Sequence, residues 1–421
     1  MKRKKITYQS YFKLVLVSIV VSLCSILLVY LTKQLTEYTE SLIFQNIQTR
    51  SKFLYIILPS VGITLIYFLR KYLFKGRKNK GITEIYKTLD HRKEHLPAFK
   101  IPSHLINGFL TVIFGGSTGI EVSSVVATAT VGNMTYKQNF SAQSYKRELI
   151  CAGVTAAVAV LFVSPLAGFL FAIEVISRKT KKSLVISCAT AALVAWAFIS
   201  VFESTTLLPF SVDQWNWYAL PLFIVLSMMG GVLSVYFTLL VTRMKKIFGN
   251  INNNFLRVNL GAISVGLLIF LFPVLYGDSY HGLKEVIGSP TIPLFVLAFL
   301  LFLKTIAASL TLGAGGDGGV FAPSIVAGAV LGLFFAKFCN TQFDMGLIPL
   351  NFALVGACAT LSASIYAPFT ALILTCNLVP NGYQLFLPLL IGCILAKYLS
   401  QKILPYNVYT YDFYLMSKQT A

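Results

Sequence analysis

The chain has 421 residues, of which 56% are apolar, 14% aromatic and 12% charged, and its mean hydropathy is +0.74. A soluble protein of this size needs a charged shell, whereas a protein solvated by lipid keeps apolar side chains on its outside as well as its inside. The composition therefore excludes a soluble globular protein and predicts an all-α integral membrane protein with the lipid bilayer as its solvent.

The formal net charge of +20 comes from basic residues in short segments between the apolar stretches, such as 2–5, 70–80 and 178–182. The positive-inside rule predicts that such clusters face the cytoplasm of a multi-pass protein in the cell inner (plasma) membrane. Their dispersal along the chain argues against a nucleic-acid partner. The seven cysteines and four histidines show no metal-ligand spacing, so neither a metal nor another cofactor is predicted.

In chain order, the first apolar run follows the basic start and is long enough to span a membrane, so we predict a retained helix rather than a cleaved signal. Shorter segments interrupted by Gly or Pro are typical of transporters whose helices stop inside the membrane. Long spans are predicted at about 11–31, 52–69, 184–202, 218–242, 257–276 and 290–312. Short segments are predicted at about 103–116, 121–135, 150–163, 165–176, 320–337, 351–364, 368–379 and 384–400.

Two sequence elements recur in the same order along the chain. GGSTGIEVSS at 115–124 matches GGDGGVFAPS at 315–324, which lies 200 residues later. VSPLAGFLFAIEV at 163–175 is echoed 203 residues later by YAPFTALILTCNL at 366–378. Two elements repeating at nearly the same offset predict a whole-chain duplication. We place the N-terminal transmembrane half at 1–205 and the C-terminal half at 206–421, and the sequence leaves open whether they are parallel or inverted.

The Gly-rich repeats predict an anion site. In hydrocarbon, a helix that begins in mid-membrane leaves several backbone N–H groups without partners unless something polar binds there. An anion suits that position because the helix N-terminus carries partial positive charge, and glycine lets an ion approach the backbone closely. Gly119 and Gly319 are placed to do this. The alternative, that these glycines only allow tight helix packing, is weakened by their occurrence in two registered copies.

Glu121 directly follows the first Gly-rich turn inside an otherwise uncharged apolar segment. A carboxylate within the membrane costs about 2.5–3.5 kcal/mol on insertion scales, so it is a functional candidate by default. At a helix N-terminus, its ionised form can occupy the place of the transported anion and can leave when protonated. We therefore predict that Glu121 is both gate and proton acceptor; the alternative is a structural helix cap.

At these residues the chain resembles the CLC family of chloride channels and chloride/proton antiporters, over nearly its whole length. The family's gating motif, glycine-basic-glutamate-glycine-proline, is similar to residues 119–123, which keep Gly119 and Glu121 but have Ile120 at the basic position and lack the second Gly and the Pro. The Gly-x-Phe-x-Pro motif is intact at 319–323. The resemblance implies that the backbone amides of Val320 and Phe321 hold the central ion.

The family's first anion motif, Gly-Ser-Gly-Ile-Pro-Glu, is similar to residues 79–84, with Lys80 in place of the chloride-coordinating serine and Gly81 after it. Lys80 could bind chloride by charge, pair with Glu121 or point into the cytoplasmic mouth; the alternative is that it only ends the basic loop begun at Arg70. The family's central tyrosine resembles Tyr409, with Tyr406 as the less similar choice; its phenol would donate to the ion.

Proton coupling is left open by the inner part of the resemblance. Family antiporters usually carry a second, cytoplasm-facing glutamate, and the matching residue here is Val175. Its neighbour Glu174 could relay protons through water or could be an interfacial residue at a helix end. The resemblance implies chloride transport, by chloride/proton antiport or, alternatively, through a passive and voltage-gated channel.

The resemblance also implies a fold of two inverted, structurally repeated halves with many tilted, broken or re-entrant helices. It further implies a homodimer with one pathway per subunit, whose partners are chloride and other anions, protons and lipid. No cytoplasmic regulatory domain is predicted. A membrane enzyme is not expected, because no nucleophile–base pair, metal cluster or phosphate loop has usable spacing. A fluoride-selective variant is disfavoured by the intact motif at 319–323.

Overall fold

The computed structural model describes residues 2–77, 79–91, 93–137, 145–203, 206–289 and 291–420, and these are almost all helical. Within these ranges there is no β-strand, and one isolated antiparallel bridge joins Gly119 to Gly319. π-helical turns at Leu69–Leu73 and Ala172–Ser177 continue α2 and α7. The helices are α1 (Lys2–Arg50), α2 (Leu54–Phe68), α3 (Ile82–Asp90), α4 (Lys100–Ile113), α5 (Glu121–Lys137), α6 (Lys146–Leu161), α7 (Pro165–Phe171), α8 (Lys182–Phe202), α9 (Leu220–Gly249), α10 (Asn254–Leu271), α11 (Tyr280–Gly288), α12 (Leu294–Ala314), α13 (Phe321–Phe343), α14 (Pro349–Ile365), α15 (Pro368–Cys376), α16 (Phe386–Ile403) and α17 (Tyr411–Thr420).

Over the described ranges, eight helical segments are long and apolar enough to cross a membrane. The six predicted long spans are all represented among them. Two segments that we predicted to be short, 320–337 and 384–400, are also long enough, so this prediction was wrong. Each carries a proline only near its start, where a missing N–H breaks no helical bond. The segments are Gln9–Thr49, Leu54–Leu73, Lys182–Phe202, Trp217–Gly249, Asn254–Leu271, Leu294–Ala314, Phe321–Phe343 and Gly382–Ile403.

Two predicted helix ends differ from the structure. The first helix continues far beyond residue 31 and ends only at Arg50, because no Gly or Pro interrupts the chain in between. The helix predicted at 257–276 instead ends at Leu271. Pro273 causes that end, because the residue before a proline is disfavoured in the α-region, and Phe272 has φ −134° and ψ 86°.

The chain divides into two compact units. Unit 1 comprises Met1–Leu35, Lys78–Ile106 and Glu121–Thr205, and unit 2 comprises Thr36–Arg77, Asn107–Ile120 and Thr206–Ala421. These units do not follow the predicted halves, since two segments of the N-terminal half belong to unit 2. The whole-chain duplication remains a prediction.

Unit 1 is built around α6, which packs against α5, α7 and α8. Its α1–α6–α8 core contains Leu14, Val21, Leu149, Ala152 and Ala191. The α5–α6 crossing is so close that a Cβ at Gly132 would lie 2.2 Å from the Leu149 carbonyl oxygen. Small residues allow such backbone approach between membrane helices.

In unit 2, α13 and α14 pack most extensively, and α9, α12 and α16 surround them. A Cβ at Gly328 would lie 2.3 Å from the Gly356 carbonyl oxygen, and a Cβ at Gly356 would lie 2.1 Å from the Gly328 carbonyl oxygen. One turn further along α13, a Cβ at Gly332 would lie 1.9 Å from the Phe352 carbonyl oxygen. The two helices therefore meet backbone to backbone, and most of α13 is buried.

This contact predicts that Gly332→Ala destabilises the protein. Its new methyl group would collide with a carbonyl oxygen that cannot rotate away, and overpacking of this kind costs about 1–3 kcal/mol. Thermal unfolding followed in detergent by size exclusion should show a lowered midpoint. Gly249→Ala is the matched control, because nothing lies within 4 Å of its added Cβ. Equal midpoints for the two variants would contradict the close crossing.

Candidate functional site

The two Gly-rich turns pair with each other inside unit 2. Gly119 and Gly319, which correspond in the two copies of the sequence repeat, form an antiparallel bridge. A Cβ at Gly318 would lie 2.4 Å from the Thr118 Oγ1 and 3.0 Å from the Gly119 carbonyl oxygen. The turns can therefore approach this closely only because glycine lacks a side chain.

Two threonines 200 residues apart tie the turns together reciprocally. The Ser117 N–H donates to Thr311 Oγ1 at 3.1 Å. The Asp317 N–H donates to Thr111 Oγ1 at 3.0 Å. All four residues are buried. Reciprocal bonds of this kind show that a local two-fold relation connects the end of α4 with the end of α12.

The glycines before these donors share the same geometry. Gly116 donates to the Thr111 carbonyl at 2.7 Å, and Gly316 donates to the Thr311 carbonyl at 3.0 Å. A Cβ on either glycine would meet the Cγ2 of the other copy's threonine at 3.1 Å. The chain thus leaves each helix by the same tight turn, and backbone donors that would be orphaned in an apolar surrounding are satisfied.

Arg70 adds an ion pair to the second turn, and sequence reasoning missed it. Arg70 Nη1 donates to the Gly315 carbonyl at 2.9 Å, and Arg70 Nη2 lies 3.6 Å from Asp317 Oδ2. Asp317 stands where the first copy has Ser117, and apart from Glu121 it is the only charged residue in the two Gly-rich stretches. This single acidic residue was the signal in the sequence for a basic partner nearby.

The second turn leads into the start of α13, which is buried. Val320 has 0% and Phe321 1% of its surface exposed, and Phe321 is the first residue of the helix. Tyr409 is buried in the same unit, with its ring centroid 6.5 Å from that of Phe321. Tyr406 instead packs on Tyr411 and Tyr414 through ring contacts. The structure therefore brings Tyr409, rather than Tyr406, to the predicted anion-binding motif.

Glu121 begins α5 in unit 1, and only 4% of its surface is exposed. Ile120, which precedes it, and Gly119 belong to unit 2, so the unit boundary falls at the start of this helix. Gly81, with φ +63°, lies beside the same helix, since a Cβ there would be 3.6 Å from Val122 Cγ1. The structure thus brings Gly81 next to the residue that follows the predicted gate.

Lys80 is exposed. Its backbone N–H donates to Glu84 Oε1 at 2.6 Å, and Glu84 Oε2 lies 2.7 Å from Lys100 Nζ. The first anion motif is therefore held at its backbone by a carboxylate at the start of α3, which is a favourable place for negative charge.

Val175, the residue that the sequence comparison matched to the family's second glutamate, takes part in a hydrogen bond through its backbone. The Tyr86 hydroxyl donates to the Val175 carbonyl at 3.1 Å. The Arg178 guanidinium lies 3.6 Å from the centre of the Tyr86 ring, and burial raises the pKa of the Tyr86 phenol to about 12. Tyr86 therefore stays protonated at neutral pH, and the sequence did not point to this residue. Glu174, which is partly buried, lies in the π-helical turn at Ala172–Ser177.

With this geometry in place, comparison with known proteins identifies the family. The family model described as voltage gated chloride channel matches residues 61–401, most of the chain. The protein belongs to that family, the CLC proteins.

Individual relatives carry different functional names, and solved structures share the fold. The H(+)/Cl(-) exchange transporter ClcA of Cronobacter sakazakii is 28% identical over 346 residues, covering 80% of this chain and 74% of the relative. The voltage-gated ClC-type chloride channel ClcB of Shigella flexneri is 26% identical over 310 residues, covering 71% of this chain and 72% of the relative. A crystal structure of a slow cyanobacterial Cl−/H+ antiporter is similar with a TM-score of 0.82 and 22% identity, covering 97% of this chain and 99% of the other. A CLC-type fluoride/proton antiporter has a TM-score of 0.78 at 22% identity, covering 94% and 96% of the two chains.

The reciprocal bonds predict that Thr111→Val and Thr311→Val destabilise the protein by similar amounts. Each substitution preserves shape but leaves one buried N–H without its acceptor, which costs about 1–3 kcal/mol. The midpoint of thermal unfolding measures this loss.

Thr190→Val is the control for these variants, since the Thr190 hydroxyl only donates to the Ile186 carbonyl one turn earlier in its own helix, at 2.8 Å. If all three variants unfolded at the same temperature, the cross-turn bonds would not contribute as described.

Proposed function

We propose that the protein transports chloride across the membrane in exchange for protons, through one pathway per subunit of a homodimer. The single observation that carries the proposal is the pairing of Gly119 with Gly319. Within two residues of each paired glycine the chain enters a mostly buried helix, α5 or α13. The start of α13 carries partial positive charge, and the backbone and threonine bonds between the two turns fix the chain that leads into it, which suits a desolvated anion.

The backbone amides of Val320 and Phe321 are proposed to hold the central anion, with the Tyr409 hydroxyl as a third donor. Their burial supports this role, because a hydrogen bond to an anion is stronger where water is excluded. Gly119 and Ile120 are proposed to supply the backbone of the outer part of the pathway. Anion selectivity then comes from a small number of fixed N–H and O–H donors, with no metal or other cofactor.

Glu121 is proposed to act as the gate and the proton acceptor. It is a buried carboxyl group at the N-terminus of a helix, where its ionised form is stabilised by the helix dipole. An anion arriving at the same helix end competes with that carboxylate. Protonation removes the charge and frees the end of the helix, so proton uptake and anion passage become coupled.

Gly81 and Lys80 are proposed to form the inner mouth of the pathway. The exposure of Lys80 supports a role as a positive charge that raises the local chloride concentration, rather than as a ligand in a dehydrated site. Gly81 lies against Val122, and this contact supports its place close to the start of α5.

A passive chloride channel is the second candidate function. The observation that favours it is the Tyr86–Val175 contact, which leaves a neutral inner position where a second carboxyl group would carry protons. Glu174 is the remaining carboxyl group of that turn and is the proposed relay if exchange occurs. Among the similar proteins, one relative is named an exchanger and another a channel, so both possibilities occur.

The test is parallel measurement of chloride and proton flux from purified protein in liposomes. Wild-type protein is expected to move protons when only a chloride gradient is applied. Glu121→Gln is expected to abolish this proton movement and to change chloride flux, because glutamine cannot take up the proton. The exposed Glu94, changed to Gln, is the matched control and should leave both fluxes as in the wild type.

Chloride flux without any proton movement in the wild type would contradict exchange and support the channel. If Glu121→Gln left both fluxes unchanged, the assignment of the gate would be wrong.

A further inference from the structure

Glu40 is a buried carboxyl group that the transport proposal does not use. It lies on the second part of α1, within unit 2, and 2% of its surface is exposed. One oxygen, Oε1, rests on Gly277, where an added Cβ would lie 1.8 Å away, and the Asp278 backbone N–H donates to the carboxylate. The other, Oε2, is buried and has no hydrogen-bond partner among the residues that the structure describes. A buried carboxylate oxygen without a partner requires a ligand or a proton.

Two further side chains of types that can bind a metal ion lie beside Glu40. Ligand atoms of Glu40, Asp278 and His281 all lie within 4.8 Å of one another. Asp278 is half-buried, and His281 is exposed. A small pocket beside these side chains is lined by Glu40, His281, Phe44, Tyr276, Val274 and Gly282, among others.

The turn that carries Asp278 is held rigidly. Lys304, which is 1% exposed, donates to the Gly277 carbonyl at 3.1 Å, to Ser279 Oγ at 2.7 Å and to Ser117 Oγ at 2.8 Å. Ser279 has φ +68°, and the Tyr280 N–H donates to Asp278 Oδ1 at 2.9 Å. A fixed turn of this kind preorganises the two ligands that it carries, which raises metal affinity.

The charges around Glu40 also favour a cation. Glu37, Asp278 and Lys304 act electrostatically on its carboxylate. Two of these three groups are negative, and the ammonium of Lys304 donates to three neutral oxygens. Acidic side chains, three in number with Glu40, therefore outnumber the single basic side chain in this cluster.

We propose that Glu40, Asp278 and His281 bind a divalent transition-metal ion of the Zn²⁺ type, with solvent completing its coordination. One imidazole and two carboxylates suit Zn²⁺, whereas Mg²⁺ and Ca²⁺ prefer oxygen ligands alone and more of them. The histidine and the carboxylates come from segments more than 230 residues apart, from 40 to 281, so no local spacing reveals the site.

Isothermal titration of ZnCl2 and, separately, MgCl2 into the purified full chain without a histidine tag tests the proposal. The wild type is expected to bind one Zn²⁺ per chain and not to respond to Mg²⁺. Glu40→Gln and His281→Ala are each expected to weaken Zn²⁺ binding by more than about tenfold. Mutation of a residue that only hydrogen-bonds to a metal ligand already lowers metal affinity by about this factor, and loss of the ligand itself should lower it at least as much.

His91→Ala is the matched control: it removes an exposed histidine of unit 1 and should leave the affinity unchanged. If Glu40→Gln fails to fold, the exposed His281 still carries the test. Absence of Zn²⁺ binding by the wild type, or wild-type affinity in His281→Ala, would overturn the proposal.

Discussion

The structure of the site depends on the reciprocal hydrogen bonds between the two Gly-rich turns. Irregular backbone within an apolar surrounding is tolerated only where its N–H groups find acceptors. The Ser117 and Asp317 N–H groups find them in Thr311 and Thr111, so each turn satisfies the other. Neither turn could keep this conformation alone. The pairing therefore accounts both for the glycines, which permit the approach, and for the starting points of the helices that follow.

Much of this arrangement could be predicted from the sequence because the chain repeats itself. The 200-residue offset matches Gly119 with Gly319, and these two glycines form the bridge between the turns. The second repeat shows the same local agreement: Val163 and Tyr366, each two residues before a proline, both have φ above +50°. Residues that correspond in the two copies therefore adopt the same local backbone conformation, because similar turn sequences favour similar turns.

What the sequence did not reveal are contacts between residues far apart and of ordinary types. A threonine inside a helix usually donates to its own backbone, so nothing marked Thr111 or Thr311 as acceptors for another segment. Tyr86 was equally inconspicuous, because its partner is the Val175 carbonyl rather than a side chain. The length of α13 was underestimated for a related reason: its glycines read as interruptions, but they pack against the α14 backbone and leave the helix continuous.

The central claim is that an anion binds where the second paired turn enters α13. A crystal grown in bromide tests it directly, because bromide replaces chloride and scatters anomalously. The account predicts an anomalous peak within hydrogen-bonding distance of the Val320 and Phe321 backbone nitrogens and of the Tyr409 hydroxyl. A well-ordered crystal with bromide peaks elsewhere, and none at this helix start, would contradict it.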